Sequence, residues 1–498
     1  MNFIQTLYID DNKDPFRDSF GWVAPEYHLM GWALSCLQLH KIYGDISLFA
    51  NTSAAHLLID TLQLPYSAVN LTHDRLRLAH PDLWAFPKIY TYSLQEEPFL
   101  HIDGDVFLFQ PFSGDLLEGE LIAQNVEIAA DYDTIKRELG QYFTFFPPCV
   151  KKDFESEIPV HAVCAGILGG KNSSFFRDYT ASAFDYIHKN ADSLKHINVN
   201  RFNVFYEQHL FYSLAREYDI PVSVLFKGIV NDNEYRFLGD FHDVPFNRSY
   251  LHLLGHFKRD EFTCIRMAAK LRELYPDYYD RIVALFHDRQ IRLSPSGFKN
   301  GENPLSREDN SHLQRLVAAA EHCPPEIEKE LFKHDFELFF RQLESLLEKE
   351  SGDLRKKDMA AQHWCRDLFA DPFSILNHHV VRSRETEIIE SSFDWAGLFN
   401  KQYRVGTDYY SDLQIDKGCF YNLIVRENSD NGFSLYDINE LEHAMLLLLS
   451  EPMPVSEVLT KMEVYFEDDV LHYHYEAYKE LILASLKQLV IKKAIQPA

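Results

Sequence analysis

Pro98-Phe99-Leu100-His101-Ile102-Asp103-Gly104-Asp105-Val106-Phe107-Leu108-Phe109 is the stretch on which the reading of the N-terminal half turns. An apolar run ends on two aspartates separated by a glycine, and strongly apolar residues resume at Val106. Asp-Gly-Asp is good turn chemistry in its own right. A solvent turn, however, rarely has strongly apolar residues on both sides, so the triplet is expected at the end of a buried strand. Two carboxylates one residue apart at a strand end can point toward one hard cation, with Gly104 relieving the backbone between them. Mg²⁺ and Mn²⁺ accept such oxygen ligands and complete their shell with phosphate and water.

Outward from the triplet, short apolar strands alternate with helices. Phe3 to Ile9, Ile46 to Ala50 and Ala68 to Leu71 read as strands before it, and Leu121 to Gln124, Val160 to Leu168 and Val222 to Leu225 after it. Helices are predicted from Pro25 to Tyr43, with Pro25 suited to a first turn and Gly44 to the stop, from Thr52 to Leu62, and from Asn200 to Glu217. The alternation predicts an α/β fold with a parallel sheet and helices on both faces. Ligands in such sheets gather at the carboxyl ends of strands, where the triplet falls. Asp10 and Asp11 follow the first strand and are candidates for contact with a nucleotide.

A second element, His252-Leu253-Leu254-Gly255-His256-Phe257-Lys258, lies about 150 residues further on. It offers an imidazole for a cation, a glycine for close backbone approach and an ammonium for phosphate charge. A departing nucleoside diphosphate needs this combination, because metal and cation together stabilise the negative charge that develops. The competing reading makes His252 a core histidine and Lys258 a solvated surface charge.

These residues resemble the motifs of glycosyltransferase family 8, the retaining, GT-A-fold group that includes glycogenin and bacterial galactosyltransferases. The family's late H-x-x-G-x-x-K motif is matched by His252, Gly255 and Lys258, although Arg259-Asp260 stands where the family usually has Pro-Trp. Its N-x-G-[VIL] strand resembles Cys164-Ala165-Gly166-Ile167, with Cys164 replacing the asparagine. Its D-Q-D helix start resembles Glu207-Gln208-His209, and Lys88 sits where the family often carries a basic residue that reaches the donor. The resemblance covers roughly residues 1–260. It implies Mn²⁺ or Mg²⁺ held by Asp103, Asp105 and His252, and a nucleotide-sugar donor, a UDP-sugar, contacted by Asp10, Asp11, Lys88, Gly104, Gly255 and Lys258. It also implies transfer with retention, with Gln208, Glu207 and Lys258 as the catalytic set. Glu207 is open to a second reading as an ordinary helix N-terminal carboxylate favoured by the macrodipole.

Composition bounds the rest. The chain has 498 residues, 46% hydrophobic and 25% charged, with a formal net charge of -26. Such acidity disfavours broad contact with nucleic-acid backbones or anionic membranes. The seven cysteines are scattered without a C-x-x-C pair, which fits reduced thiols rather than a zinc site or disulfide framework. No stretch reads as a signal peptide or membrane span, so a cytoplasmic location is expected.

Three regions are expected: a GT-A-like domain over 1–290, a linker and helical region over 291–384, and an α+β winged-helix-like domain over 385–498. The first part of the second region, Ser294 to Ser311, is polar and loop-like, and helical periodicity returns over 312–370. In the third, Glu387 to Glu390 and Phe420 to Val425 read as strands. Asp437 to Leu449, Val455 to Met462 and Tyr473 to Gln488 read as helices, and Leu489 to Ile495 as a strand. This last segment resembles PqqD-like peptide-recognition domains, which capture a leader peptide as an added strand. The resemblance implies a peptide or protein acceptor, and a helical dimerisation or packing module is the other reading of this segment. A saccharide acceptor is the other possibility for an enzyme, and a non-catalytic peptide- or carbohydrate-binding protein on the same scaffold is the alternative to catalysis.

Overall fold

The computed structural model of the chain describes residues 1–156, 159–231, 235, 237–245, 248–291, 293, 329–349, 364, 368, 374–396, 417–426 and 433–498. It divides into two compact units. The first comprises Met1–Gly239 with Arg248–Leu254, and the second Asp240–Asn247 with Gly255–Ala498.

The first unit is α/β. Its strands are β1 (Asn2–Leu7), β2 (Ile46–Ala50), β3 (Ala68–Asn70), β4 (Phe99–Ile102), β5 (Val106–Leu108), β6 (Leu121–Ile128), β7 (His161–Gly170), β8 (Val222–Val224), β9 (Ile229–Asn231) and β10 (Tyr250–His252). The main sheet runs β3-β2-β1-β4-β7-β6-β8, with β9 also pairing β6. It is mostly parallel, but β7 runs antiparallel to both β4 and β6, which corrects the expectation of an all-parallel sheet. The register explains the reversal. Ile128 pairs with His161, so residues 129–160 begin and end at one sheet edge and no crossover is needed.

Helix Pro25–Tyr43 starts on its proline and is followed by Gly44 at φ 75°, a backbone conformation that glycine adopts readily. Two helices read as continuous are interrupted by wide turns. Thr52–Ala55 passes into His56–Thr61, and Val199–Val204 passes through Phe205–His209 into Leu210–Glu217. Such widened turns often occur at functional sites, and the second holds Glu207 and Gln208. Tyr92, Phe99, Phe175, Phe176, Tyr179 and Phe211 belong to one buried core. Phe99 and Phe176 meet edge-on with ring centroids 4.7 Å apart.

The second unit opens with helices Gly255–Arg259, Glu261–Leu274 and Pro276–Asp288, followed in the described residues by Lys329–Glu348. The strands are β11 (His379–Arg382), β12 (Thr386–Phe393), β13 (Lys417–Arg426), β14 (Phe433–Ile438), β15 (Met453–Pro454) and β16 (Ile495–Pro497). β12-β13-β14 form an antiparallel meander, and β15-β11-β16 a smaller sheet. Helices Glu440–Leu448, Val455–Met462 and Tyr475–Ile491 share a core with Leu423, Tyr436 and Ile438 of the meander. Arg266 on helix Glu261–Leu274 donates to Ser434 Oγ at 3.2 Å, which ties that helix to β14.

Two boundaries differ from expectation. Asp437 and Ile438 end a strand, because Asn439 and Glu442 form a reciprocal capping box that starts the helix at Glu440. Leu489 to Ile491 continue the long buried helix, which ends before Lys493 at φ 57°; the strand begins only at Ile495. The stretch 294–311 lies outside the described residues, as does most of 312–370 apart from Lys329–Glu348. No helix among the described residues is long and apolar enough to cross a membrane.

Candidate metal and sugar-transfer site

Asp103 leaves β4 at its carboxyl end. Its N–H donates to Gly166 O at 3.0 Å, and its carbonyl accepts from Val106 N–H at 3.1 Å, closing a tight turn around Gly104. A Cβ on Gly104 would lie 2.5 Å from Trp32 Cε2, so glycine here allows the indole to pack against the turn. After the turn, β5 pairs antiparallel with β10, setting Val106 opposite His252. Leu253 N–H donates to Asp105 O at 2.9 Å on the same ladder. A short two-stranded ribbon thus carries His252 to the aspartates from far along the chain.

Asp103, Asp105 and His252 each offer a ligand atom within 4.8 Å of the others, and they form the one such group among the described residues. His252 Nε2 is 3.5 Å from Asp105 Oδ1. Its other ring nitrogen, Nδ1, lies 2.7 Å from Gln124 Oε1, which also accepts from Tyr250 Oη at 2.7 Å. A carboxamide oxygen can only accept, so Nδ1 carries the proton and Nε2 keeps its lone pair toward the aspartates. Two carboxylates and an imidazole nitrogen suit a divalent cation such as Mn²⁺ or Mg²⁺.

Lys88 projects from helix Phe86–Ser93 into the same cluster. Its ammonium lies 2.8 Å from Asp103 Oδ1, 3.0 Å from Oδ2 and 2.7 Å from Glu207 Oε1. Burial alone would lower the Lys88 pKa, but the Asp103 and Glu207 carboxylates outweigh it and hold the ammonium above its usual range. Glu207 is fully buried, and its Oε2 has no hydrogen-bond partner among the described residues. Burial raises its pKa to about 7, against the pull of Lys88 and with a further push from Asp103. Asp103 is raised too, by burial first and also by Asp105, with Lys88 opposing. Three carboxylates against one ammonium leave the cluster rich in negative charge, the electrostatic setting in which a cation binds.

Gln208 follows Glu207 in the wide turn. Its carboxamide satisfies its neighbours with nitrogen toward Tyr132 Oη at 2.7 Å, Glu127 Oε1 at 3.3 Å and Val163 O at 3.3 Å. Asp10 and Asp11 sit at the carboxyl end of β1, which pairs parallel with β4, so they share the sheet edge from which Asp103 leaves. Asp10 Oδ1 caps the Asn12 N–H at 2.9 Å, and Asp11 Oδ1 accepts from Ser53 Oγ at 3.2 Å. Gly255 and Lys258 lie on helix Gly255–Arg259, in the second unit.

Sequence reasoning missed Gln124, Trp32 and His101. Gln124 sits inside a strand, completely buried, and His101 lies 3.5 Å from Asp103 Oδ1 through Nδ1. A glutamine ending the apolar run Leu121-Ile122-Ala123 was the available signal.

Among solved structures, the chain is similar to the crystal structure of the glycosyltransferase GlyE in Streptococcus pneumoniae, at 12% identity and a TM-score of 0.25, over 59% of this chain and 65% of that one. The apo form of GlyE gives 12% identity and a TM-score of 0.27, over 58% and 64% of the two chains. The galactosyltransferase LgtC in complex with donor and acceptor sugar analogues gives 10% identity and a TM-score of 0.26, over 51% and 86%. The chain therefore spans less than two thirds of the GlyE chains that it matches. No curated protein matches the sequence. The family comparison covers residues 1–285, more than half of the chain, and by it this protein belongs to DUF6734, a family of unknown function.

Proposed function

We propose that this protein is a metal-dependent glycosyltransferase of the GT-A type, transferring a sugar from a nucleotide-sugar donor, probed first as a UDP-sugar, with retention of anomeric configuration. The observation that carries the reading is the convergence of Asp103, Asp105 and His252 beside the buried Lys88–Glu207 pair. The order of matching motifs along residues 1–260 also supports it.

Asp103, Asp105 and His252 Nε2 would hold Mn²⁺ or Mg²⁺. A divalent cation there supplies positive charge to the donor diphosphate. Lys88 fixes the carboxylates of Asp103 and Glu207 at hydrogen-bonding range before any substrate arrives, which removes reorganisation from the reaction. Glu207, whose Oε2 has no hydrogen-bond partner among the described residues, would accept hydrogen bonds from hydroxyls of sugar or acceptor. Gln208 is a poor nucleophile as a carboxamide, and its role is polar stabilisation of positive charge developing at the anomeric carbon. That favours front-face displacement assisted by the leaving phosphate over a covalent intermediate. Asp10, Asp11 and the Gly104 backbone are assigned to the donor, and Gly255 and Lys258 to its phosphates.

The acceptor is proposed to be a peptide or protein recruited by residues 385–498. The support is the resemblance of this segment to peptide-recognition domains, together with a three-stranded meander followed by helices that share its core. A screen of nucleotide sugars with Mn²⁺ tests the whole reading, with released nucleoside diphosphate and donor protection against heat as readouts. Metal-dependent release from one donor is the expected result. Binding without turnover would instead identify a non-catalytic sugar-binding protein on this scaffold.

A further inference from the structure

A continuous buried hydrogen-bond chain links His252 to Gln208 through the interior of the first unit. His252 Nδ1 donates to Gln124 Oε1 at 2.7 Å, and Gln124 Nε2 donates to Asn125 Oδ1 at 3.0 Å. Asn125 Nδ2 donates to Tyr235 Oη at 2.9 Å, and Tyr235 donates to Glu127 Oε2. On the other side Tyr132 Oη donates to Glu127 Oε1 at 2.6 Å. Gln208 nitrogen lies 2.7 Å from Tyr132 Oη. Gln124 and Asn125 are completely buried, and Tyr235 and Glu127 nearly so.

Every donor direction in this chain runs toward Glu127. A carboxylate accepts and cannot donate, whereas a tyrosine hydroxyl has one proton to give. Tyr235 and Tyr132 both spend that proton on Glu127, so their oxygens can only accept from the next residue outward. Asn125 must then turn its nitrogen to Tyr235 and its oxygen to Gln124, an orientation that the Val126 carbonyl, accepting from the same nitrogen at 3.0 Å, also favours. Gln124 in turn must face His252 with oxygen, which requires the Nδ1–H tautomer. By the same logic Gln208 must turn its nitrogen to Tyr132, an orientation that Glu127 Oε1 and Val163 O, each 3.3 Å from that nitrogen, also favour, leaving its carbonyl oxygen at the other end of the carboxamide.

We propose that Glu127 is a positioning residue that sets the hydrogen-bond polarity at both ends of the site: the His252 tautomer through Tyr235, and the Gln208 carboxamide orientation through Tyr132 and by direct contact. The inference rests on the transferase reading for its kinetic consequences only, because the tautomer of His252 can be observed in the protein alone. Outer groups that orient a ligating histidine commonly alter metal affinity by about 10–100-fold.

Three variants of the full chain separate the branches. Tyr235→Phe removes the link from Glu127 toward His252, Tyr132→Phe removes the shortest of the three contacts to the Gln208 nitrogen, and Glu127→Gln removes the acceptor-only anchor of both. Nitrogen-15 NMR of histidine-labelled protein, with His252 assigned by substitution, is expected to show the Nδ1–H tautomer in wild type and in Tyr132→Phe. Mixed tautomers are expected in Tyr235→Phe and Glu127→Gln. Mn²⁺ affinity, titrated without donor, should fall about tenfold or more in the same two variants and stay at the wild-type value in Tyr132→Phe. The last variant should lower kcat for donor turnover with KM for the donor retained. A retained Nδ1–H tautomer in Glu127→Gln, or identical effects of the two tyrosine variants, would overturn the proposal. Wild-type protein that binds no Mn²⁺ and turns over no nucleotide sugar would overturn the transferase reading instead, with the tautomer comparison still deciding the polarity.

Discussion

Gly166 and His252 share a space with room for one side chain: a Cβ on Gly166 would lie 2.4 Å from His252 Nδ1 and 2.5 Å from Cε1. Gln124 Oε1 would be 2.7 Å from the same atom. The glycine of β7 therefore admits the imidazole and its orienting carboxamide together. The imidazole is buried, and Gln124 Oε1, although it ends a longer side chain, is held by Tyr250 Oη and His252 Nδ1, so moving either aside breaks buried hydrogen bonds.

Gly166→Ala is accordingly expected to displace His252 from the aspartates. Overpacking of this kind costs about 1–3 kcal/mol of stability. The diagnostic loss is the heat protection conferred by Mn²⁺, measured by thermal unfolding with and without the ion. A variant that unfolds earlier but gains as much from Mn²⁺ as wild type would show that His252 holds its place without the glycine.

Asp103, Asp105 and His252 were legible in the sequence because each stands in a contrast of residue types: acids interrupting an apolar run, and a histidine with a glycine and a lysine at fixed spacing. The strands around them were legible for a similar reason, being short apolar runs bounded by polar residues. The antiparallel course of β7 was not, since a period-2 pattern is the same in either direction. Gln124 and Glu127 escaped notice because their role comes from pairing across the sheet, and no local pattern encodes a partner such as Tyr235, 108 residues away from Glu127. Lys88 was placed by its position before the triplet. Its grip on Glu207 as well as Asp103 arises from the wide turn Phe205–His209, which helical periodicity smooths over.

Replacing Asp103 and Asp105 together by Asn should abolish sugar transfer and leave the fold intact. At a metal concentration about a hundred times its Kd, wild type gains about 2.7 kcal/mol from binding, and the double variant should gain none. Burial raises the Asp103 carboxyl while Lys88 opposes, so the variant sheds a buried charge and also one partner of Lys88, and its metal-free stability should stay near that of wild type. Denaturant unfolding at fixed Mn²⁺ measures both effects. An undiminished gain would place the ion elsewhere.

In the second unit, Asp335 accepts from Trp395 Nε1 and from Ser392 N–H, both at 2.7 Å, and is itself buried. It joins helix Lys329–Glu348 to the end of β12. Asp335→Ala leaves the buried Trp395 indole N–H and the half-buried Ser392 N–H without that acceptor, and a loss of about 2 kcal/mol is expected. Tryptophan fluorescence during denaturant unfolding reads the loss, with Mn²⁺ binding as a control that should not change.

Lys88→Met tests the remaining ion pair, and its pH dependence gives the sign. Breaking a buried pair costs about 3–5 kcal/mol, because Glu207 would remain buried without its cation. The folded-state pKa of Glu207, about 7 in wild type, lies above the ordinary glutamate value near 4.3. A group raised on folding contributes its stability in full below the unfolded value and loses it as pH rises through the folded one. Metal-free wild type should therefore lose this contribution between about pH 4.3 and 7. In Lys88→Met the Glu207 pKa rises further, the loss extends to higher pH, and the variant should come nearest wild type in acid. The double variant Lys88→Met with Glu207→Gln removes the stranded carboxylate and should recover stability at pH 8 relative to the single variant. Denaturant unfolding across pH 5 to 8 distinguishes the outcomes. A single variant whose deficit does not change with pH would mean that Lys88 stabilises the site through packing of its chain and not through the charge on Glu207.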